Sequence, residues 1–177
     1  MKVLIIFATI EGQTGKIVRF LADEIRAAGH EVELVDAADK TVPVSFDGVD
    51  KVILAASVHE RRHPKPFEVF LAAQQEQLEA LETLLISVSL MAAFPDTLDE
   101  AQEFVTEMKM RTGFTPGSEA LVAGAVRTGS YDYFASQVLR HVVLKGHEYD
   151  LGQGDHEFTE WEGLKGTLSE FMGVPVS

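Results

Sequence analysis

The chain has 177 residues, 46% of them hydrophobic and none of them cysteine, and carries a formal net charge of −13. That length suits one domain able to bury most of its apolar side chains, and the lack of thiols excludes disulfides, thiolate metal sites and iron–sulfur clusters, leaving any redox chemistry to a bound cofactor. The acidity argues against nucleic acid as a partner and fits docking onto a basic protein surface.

Lys2 is followed by the unbroken apolar run Val3-Leu4-Ile5-Ile6-Phe7. A short run rich in β-branched residues and without alternation predicts a parallel strand covered on both faces. It is too short to span a bilayer, lacks a small-residue cleavage pattern and passes straight into an amphipathic pattern, so a soluble cytoplasmic protein is expected. The run stops in Ala8-Thr9-Ile10-Glu11-Gly12-Gln13-Thr14-Gly15, after which Ile17, Val18, Leu21, Ala22 and Ile25 recur at helical spacing. Thr9 is a candidate N-cap, and Gly12 permits close backbone approach.

A strand, a hydroxyl-flanked glycine turn and a helix N-terminus together make an anion site. Free N–H groups and two hydroxyls supply donors without a fixed positive charge, which fits a phosphate monoester. Gly-x-Gly-x-x-Gly is absent, and Gly15-Lys16 is followed by Ile17 with no glycine five residues upstream, so the dinucleotide and nucleoside-triphosphate patterns both fail. The Thr-x-x-Gly-x-Thr that remains resembles the FMN phosphate loop of flavodoxins, which also follows the first strand directly. For the hexapeptide alone, a pair of ordinary cap residues in an α/β protein is the alternative.

Further along, Gly29 stops the first helix and Glu31 to Asp36 alternates like an edge strand exposed on one face. Val42 to Val49 reads as a loop, and Val52-Ile53-Leu54-Ala55-Ala56-Ser57-Val58 as a buried third strand. His59-Glu60-Arg61-Arg62-His63 literally matches the His-Glu-x-x-His zinc-protease motif. No metal site is expected from it, because the motif needs a long helix, whereas here Pro64 and Pro66 allow a helix only from about Pro66, and two arginines would repel a dication. His59, Arg61 and Arg62 are instead candidates to edge a cofactor or bind substrate carboxylates, with solvated loop charges as the alternative.

Phe67, Phe70, Leu71, Gln74, Leu78 and Leu81 continue one helical face, and Thr83 to Leu90 is a fourth strand whose end, Ser89 to Phe94, could grip a flat ring. A helix is predicted from Thr97 or Asp99 to Met110, ended by Gly113 and Pro116, and a fifth strand over Glu119 to Val126. Strands alternating with helices point to one open, mostly parallel sheet with ligands beyond the carboxyl ends of the strands. The resemblance to flavodoxins implies the strand order 2-1-3-4-5 in a flavodoxin-like three-layer α/β sandwich. The loops expected to converge are Thr9 to Thr14, Ser57 to His63 and Ser89 to Phe94.

Between the fifth strand and the last helix, at about residues 127–160, the chain carries an insertion that a short flavodoxin lacks, holding Tyr131-Asp132-Tyr133-Phe134 and ending in Phe158-Thr159-Glu160-Trp161-Glu162. With Gly12 to Thr14, Ala56-Ser57 and its basic loop, Ser87 to Leu90, and Ala123-Gly124-Ala125 with Arg127, these pieces span the chain. The whole resembles the flavodoxin-like, quinone-dependent protoporphyrinogen oxidase family of bacterial haem biosynthesis.

The resemblance implies an FMN oxidoreductase that takes electrons from protoporphyrinogen IX, a porphyrinogen-type substrate, and passes them to a quinone or redox-protein acceptor. It implies that Thr9, Glu11, Gly12, Gln13 and Thr14 hold the phosphate while Ser57, Val58, Ser89, Leu90, Met91 and Ala92 lie beside the isoalloxazine. No side chain need be a nucleophile, and His59 or His63 could accept the departing proton, a water-facing loop histidine being the plainer expectation. Trp161 is expected as a core anchor rather than a ring that stacks on flavin. The insertion's few cations, among them Arg140 and Lys145, are diluted by Asp132, Glu148, Asp150 and Asp155, which argues against tight attachment to the inner face of the cell membrane. A homo-oligomer is left open. The alternatives are a flavodoxin-type electron carrier and a flavin-binding module without a small-molecule substrate.

Overall fold

The computed structural model describes residues 1–9, 12–126 and 156–176. Five strands form one parallel sheet in the order β2-β1-β3-β4-β5, as expected: β1 Lys2–Ala8, β2 Glu31–Asp36, β3 Lys51–Ser57, β4 Glu82–Ser89 and β5 Ser118–Ala123. The described helices are α1 Gln13–Ala27, α2 Lys65–Ala73, α3 Gln75–Glu79, α4 Leu98–Thr112 and α5 Trp161–Met172.

The period-two geometry of a strand divides each apolar run between the two helical layers. Val3 and Ile5, Ile53 and Ala55, and Leu84, Ile86 and Val88 meet Ile17, Leu21 and Ile25 of α1 and Leu164 and Leu168 of α5. Leu4 and Ile6, Leu54 and Ala56, and Leu85 meet Phe67 and Leu71 of α2, Leu78 of α3 and Val105 and Met108 of α4. Each fully buried Leu, Ile or Val contributes about 1.5–3 kcal/mol relative to an exposed one. This two-sided burial is why β1 and β3 carry unbroken apolar runs and β4 is buried from Thr83 to Ser89, whereas β2, at the edge, keeps Glu31, Glu33 and Asp36.

Two expected elements are interrupted. The helical face running from Phe67 to Leu81 breaks at Gln74, which leaves helical geometry at φ −108 and ψ 19. The new start is pinned from outside, since Gln75 Nε2 donates to the carbonyl of Gly113 at 3.0 Å. The fifth strand ends at Ala123, not Val126. Gly124 still donates its N–H to the Ser89 carbonyl at 3.1 Å, but β4 stops there and offers no further partner. Ala125–Val126 (β6) therefore pairs antiparallel with His156–Glu157 (β7) in a separate two-stranded sheet. Residues 127–155 of the expected insertion lie outside the described residues, and no helix among the described residues is long and apolar enough to cross a membrane.

Candidate functional site

The carboxyl ends of β1, β3, β4 and β5 lie side by side: Ala8 pairs with Ala56, Ser57 with Val88, and Ser89 with Ala123. The three loops singled out from the sequence therefore open on one end of the sheet.

In the first loop Gly12 caps α1 with φ 86 and ψ −12, in the left-handed region that a side chain rarely adopts. Thr9 is not the N-cap expected of it. Its Oγ1 accepts the Gly12 N–H at 2.9 Å and so closes the loop three residues ahead of the helix, because the left-handed turn at Gly12 takes over the capping position. The Lys16 N–H reaches the Gly12 carbonyl at 3.1 Å, which leaves the Thr14 and Gly15 N–H groups without a carbonyl inside the helix. Thr14 is 1% exposed and its buried Oγ1 has no hydrogen-bond partner among the described residues. An orphaned buried hydroxyl costs about 1–3 kcal/mol, and here it stands at the positive end of a helix, where an anionic oxygen would satisfy it. The residues present thus fit a phosphate ester. Gln13 is buried and its side chain is committed: Nε2 donates to Thr159 Oγ1 at 2.9 Å, and that hydroxyl donates to the Ala123 carbonyl at 2.7 Å. Glu11 lies outside the described residues.

The second loop begins at Ser57, the last residue of β3, and the next N–H, that of Val58, reaches the Val88 carbonyl at 2.8 Å. His59 and Arg62 then exchange backbone hydrogen bonds of 2.9 and 3.0 Å around Glu60 and Arg61, whose φ values are 48° and 66°. Two successive left-handed residues make a primed hairpin turn, not the helical turn a zinc motif requires. Arg61 holds this turn against α4, its guanidinium bonding Glu100 at 2.9 Å and Glu107 at 3.2 Å above the ring of Phe104. Arg62 and Arg111 both grip the buried carboxylate of Glu68, at 2.9 and 2.6 Å. Burial pushes that carboxyl up, but the two guanidinium groups outweigh it and hold it below the usual range. Both arginines proposed for substrate carboxylates are therefore already paired. Beside them an open cleft is lined by His59, Arg62, His63, Pro64 and Lys65.

We expect Glu68→Gln to lower the unfolding free energy at pH 7 by about 2 kcal/mol, because two cations lose a shared carboxylate. Urea denaturation checks this, and a loss below about 0.5 kcal/mol would mark the network as energetically equivalent to surface pairs.

His63 is not a water-facing loop histidine. It is 2% exposed, with Nε2 2.9 Å from Ser87 Oγ, its ring centroid 6.2 Å from that of Phe67, and a buried Nδ1 that has no partner among the described residues. Strand alternation explains the contact: Ser87 shares its face of β4 with Leu85, toward α2. Burial, aided by Arg111 and opposed by Glu68, lowers the His63 pKa to about 4. A buried imidazole held so low is a poor proton acceptor near neutrality, so of the two histidines considered only the half-exposed His59 keeps that option.

In the third loop the buried Ser89 accepts the Ala92 N–H at 3.3 Å through Oγ, and Met91–Ala93 forms a tight 3-10 turn. Met91, Ala101 and Phe104 form an apolar cluster against which Val58, Leu90 and Ala92 pack, so the second and third loops share one support. The sequence did not place Phe94, Phe158 and His156 together, yet Phe94 and Phe158 meet edge to face at 5.4 Å and Phe158 and His156 at 4.3 Å. Only the pairing of β6 with β7 brings the last two here. Trp161 is a half-buried anchor: it packs on Phe20 at 5.0 Å and donates Nε1–H to Glu157 at 2.7 Å. Glu157 also receives Lys16 Nζ at 2.5 Å.

The sheet order and the glycine turn at the helix N-terminus define the class of protein. A family model described as the flavodoxin domain matches residues 4–150, and the chain belongs to that family. Over 164 residues it is 25% identical to the protoporphyrinogen IX dehydrogenase [quinone] of Escherichia coli K12, covering 92% of this chain and 90% of the relative. It is 26% identical to the enzyme of the same name from Leishmania major over 183 residues, covering 99% of this chain and 77% of that one. Among solved structures, a variant of a flavo di-iron protein from Thermotoga maritima superposes with a TM-score of 0.55 at 12% identity, over 97% of this chain and 35% of that longer one. A short-chain flavodoxin associated with a bacterial microcompartment gives 0.50 at 12% identity, over 68% of this chain and 82% of its own.

Proposed function

We propose that this protein is an FMN-dependent oxidoreductase that converts protoporphyrinogen IX to protoporphyrin IX with a quinone as acceptor. The observation that carries the reading is the extent of the similarity to the dehydrogenases. Covering 92% of this chain, the alignment leaves out too little to omit the 127–160 stretch by which the chain exceeds a short flavodoxin. The fit of the first loop to a phosphate ester supports the cofactor.

FMN, when bound, supplies a two-electron acceptor for hydride and a donor to the quinone. The chain's own residues do the rest. The first turn of α1, with Gly12 and Thr14 and the loop tied by Thr9, binds the phosphate. Ser57, Val58 and Ser89 to Ala92 edge the ring and exclude water through the Met91–Phe104 cluster. His59 is the candidate proton acceptor, and Lys65, in the cleft where Arg62 is already committed to Glu68, is the candidate cation for a substrate carboxylate. One porphyrinogen yields six electrons and six protons, matched by three quinones reduced to three quinols.

Purified protein supplied with FMN should oxidise protoporphyrinogen IX anaerobically when menadione is added, with porphyrin fluorescence rising well above the protein-free rate. Equal rates with and without protein would overturn the reading. The acidic surface favours the second reading, an electron carrier, which would instead accept electrons from a flavodoxin reductase and leave the porphyrinogen rate unchanged.

A further inference from the structure

We propose that residues 156–161 are built into the cofactor site, with Thr159 and Glu157 as positioning residues that hold the first turn of α1 where it meets a phosphate ester. The inference rests on the FMN reading above and extends it to a part of the chain that the phosphate-loop pattern does not contain.

The donors of α1 are useful only if the helix end stays fixed to a fraction of an ångström. The described contacts that fix it come mostly from the far end of the sequence. Gln13 and Thr159 are 5% and 7% exposed, and their hydrogen bond leads on to the Ala123 carbonyl at the end of β5. A carbonyl can only accept, so the single Thr159 hydroxyl proton goes to Ala123 and the hydroxyl must accept from Gln13. The chain of bonds has one direction and one geometry. One helical turn from Gln13's start, Lys16 is bound by Glu157, which is itself fixed by the Trp161 indole N–H. The same segment is registered on the sheet, because the Phe158 N–H donates to the Gly124 carbonyl at 3.0 Å and the Gly124 N–H to Ser89 at 3.1 Å. Residues 156–161 thus join the phosphate loop to the loop after β4.

The test compares Thr159→Val, which keeps the volume but removes both hydrogen bonds, with Thr159→Ser, which keeps the hydroxyl. FMN and riboflavin are titrated separately against apoprotein by flavin fluorescence quenching. For Thr159→Val the FMN Kd should rise about tenfold while riboflavin affinity stays unchanged, and Thr159→Ser should stay within about twofold of the parent. An unchanged FMN Kd, or equal losses for FMN and riboflavin, would overturn the proposal. A parent protein that quenches neither flavin would sink the cofactor reading itself. A second measurement then still decides the positioning role: in flavin-free protein, Thr159→Val should speed amide exchange at Lys16 and Ile17 by about fivefold or more, and unchanged exchange would refute it.

Discussion

Replacing Gly12 by aspartate is expected to weaken FMN binding by about ten-thousandfold, read by fluorescence quenching of added FMN. Two effects add. The position has φ 86, so any Cβ strains the backbone, by about 1–2 kcal/mol for a non-glycine residue. A carboxylate some 4 Å from a phosphate at an effective dielectric near 20 adds repulsion of about 4 kcal/mol, and each 1.4 kcal/mol is tenfold. Steric filling of the loop is not the cause, because a Cβ built at Gly12 meets nothing within 4 Å. Gly12→Ala therefore separates the terms: it should cost only about tenfold, the strain alone. If aspartate and alanine weaken binding equally, the phosphate does not sit against this turn. Both variants should keep the fold, since the core lies below the loop.

Acidification is expected to lower the stability of the protein in two stages, the first set by His63. Its pKa falls from 6.5 in the unfolded chain to about 4 in the fold, with burial as the main cause. The unfolded chain therefore binds the proton first. Stability is full above pH 6.5, declines as the pH falls toward 4, and levels off from this group below that, for a total loss of roughly 3 kcal/mol. Glu68 acts lower. Its folded pKa lies below 4.5, so its contribution is present above that value and lost as the pH falls through the folded pKa. Urea denaturation between pH 7.5 and 3.5 measures both stages. His63→Phe should be less stable at pH 7, where it strands the Ser87 hydroxyl, but should flatten the slope between 6.5 and 4. An unchanged slope in that window would show that another group carries the first stage.

Much of the architecture follows from the order of residues alone. Unbroken apolar runs at Val3–Phe7 and Val52–Ala56 can be satisfied only by a sheet covered on both faces, and charged Glu31 and Glu33 assign β2 to an edge, while the full order 2-1-3-4-5 came from the resemblance to flavodoxins. The glycine turn between β1 and α1 was legible for a similar reason, because hydroxyls and a glycine between a strand and a helix leave few conformations. Two boundaries were not. The break at Gln74 depends on Gln75 reaching the carbonyl of Gly113, just past the end of α4, and the end of β5 depends on where β4 stops offering partners.

The sequence by itself determined a parallel α/β sheet with a hydroxyl-flanked glycine turn after its first strand, since periodicity and turn chemistry are local properties. Only the tertiary structure decided that His63 is buried on Ser87, that Arg61 and Arg62 are neutralised by α4 and Glu68, and that Thr159 braces Gln13. These pairings join residues as far as 146 positions apart. Which of many carboxylates or hydroxyls a side chain meets is set by how layers pack, and no spacing along the chain encodes it.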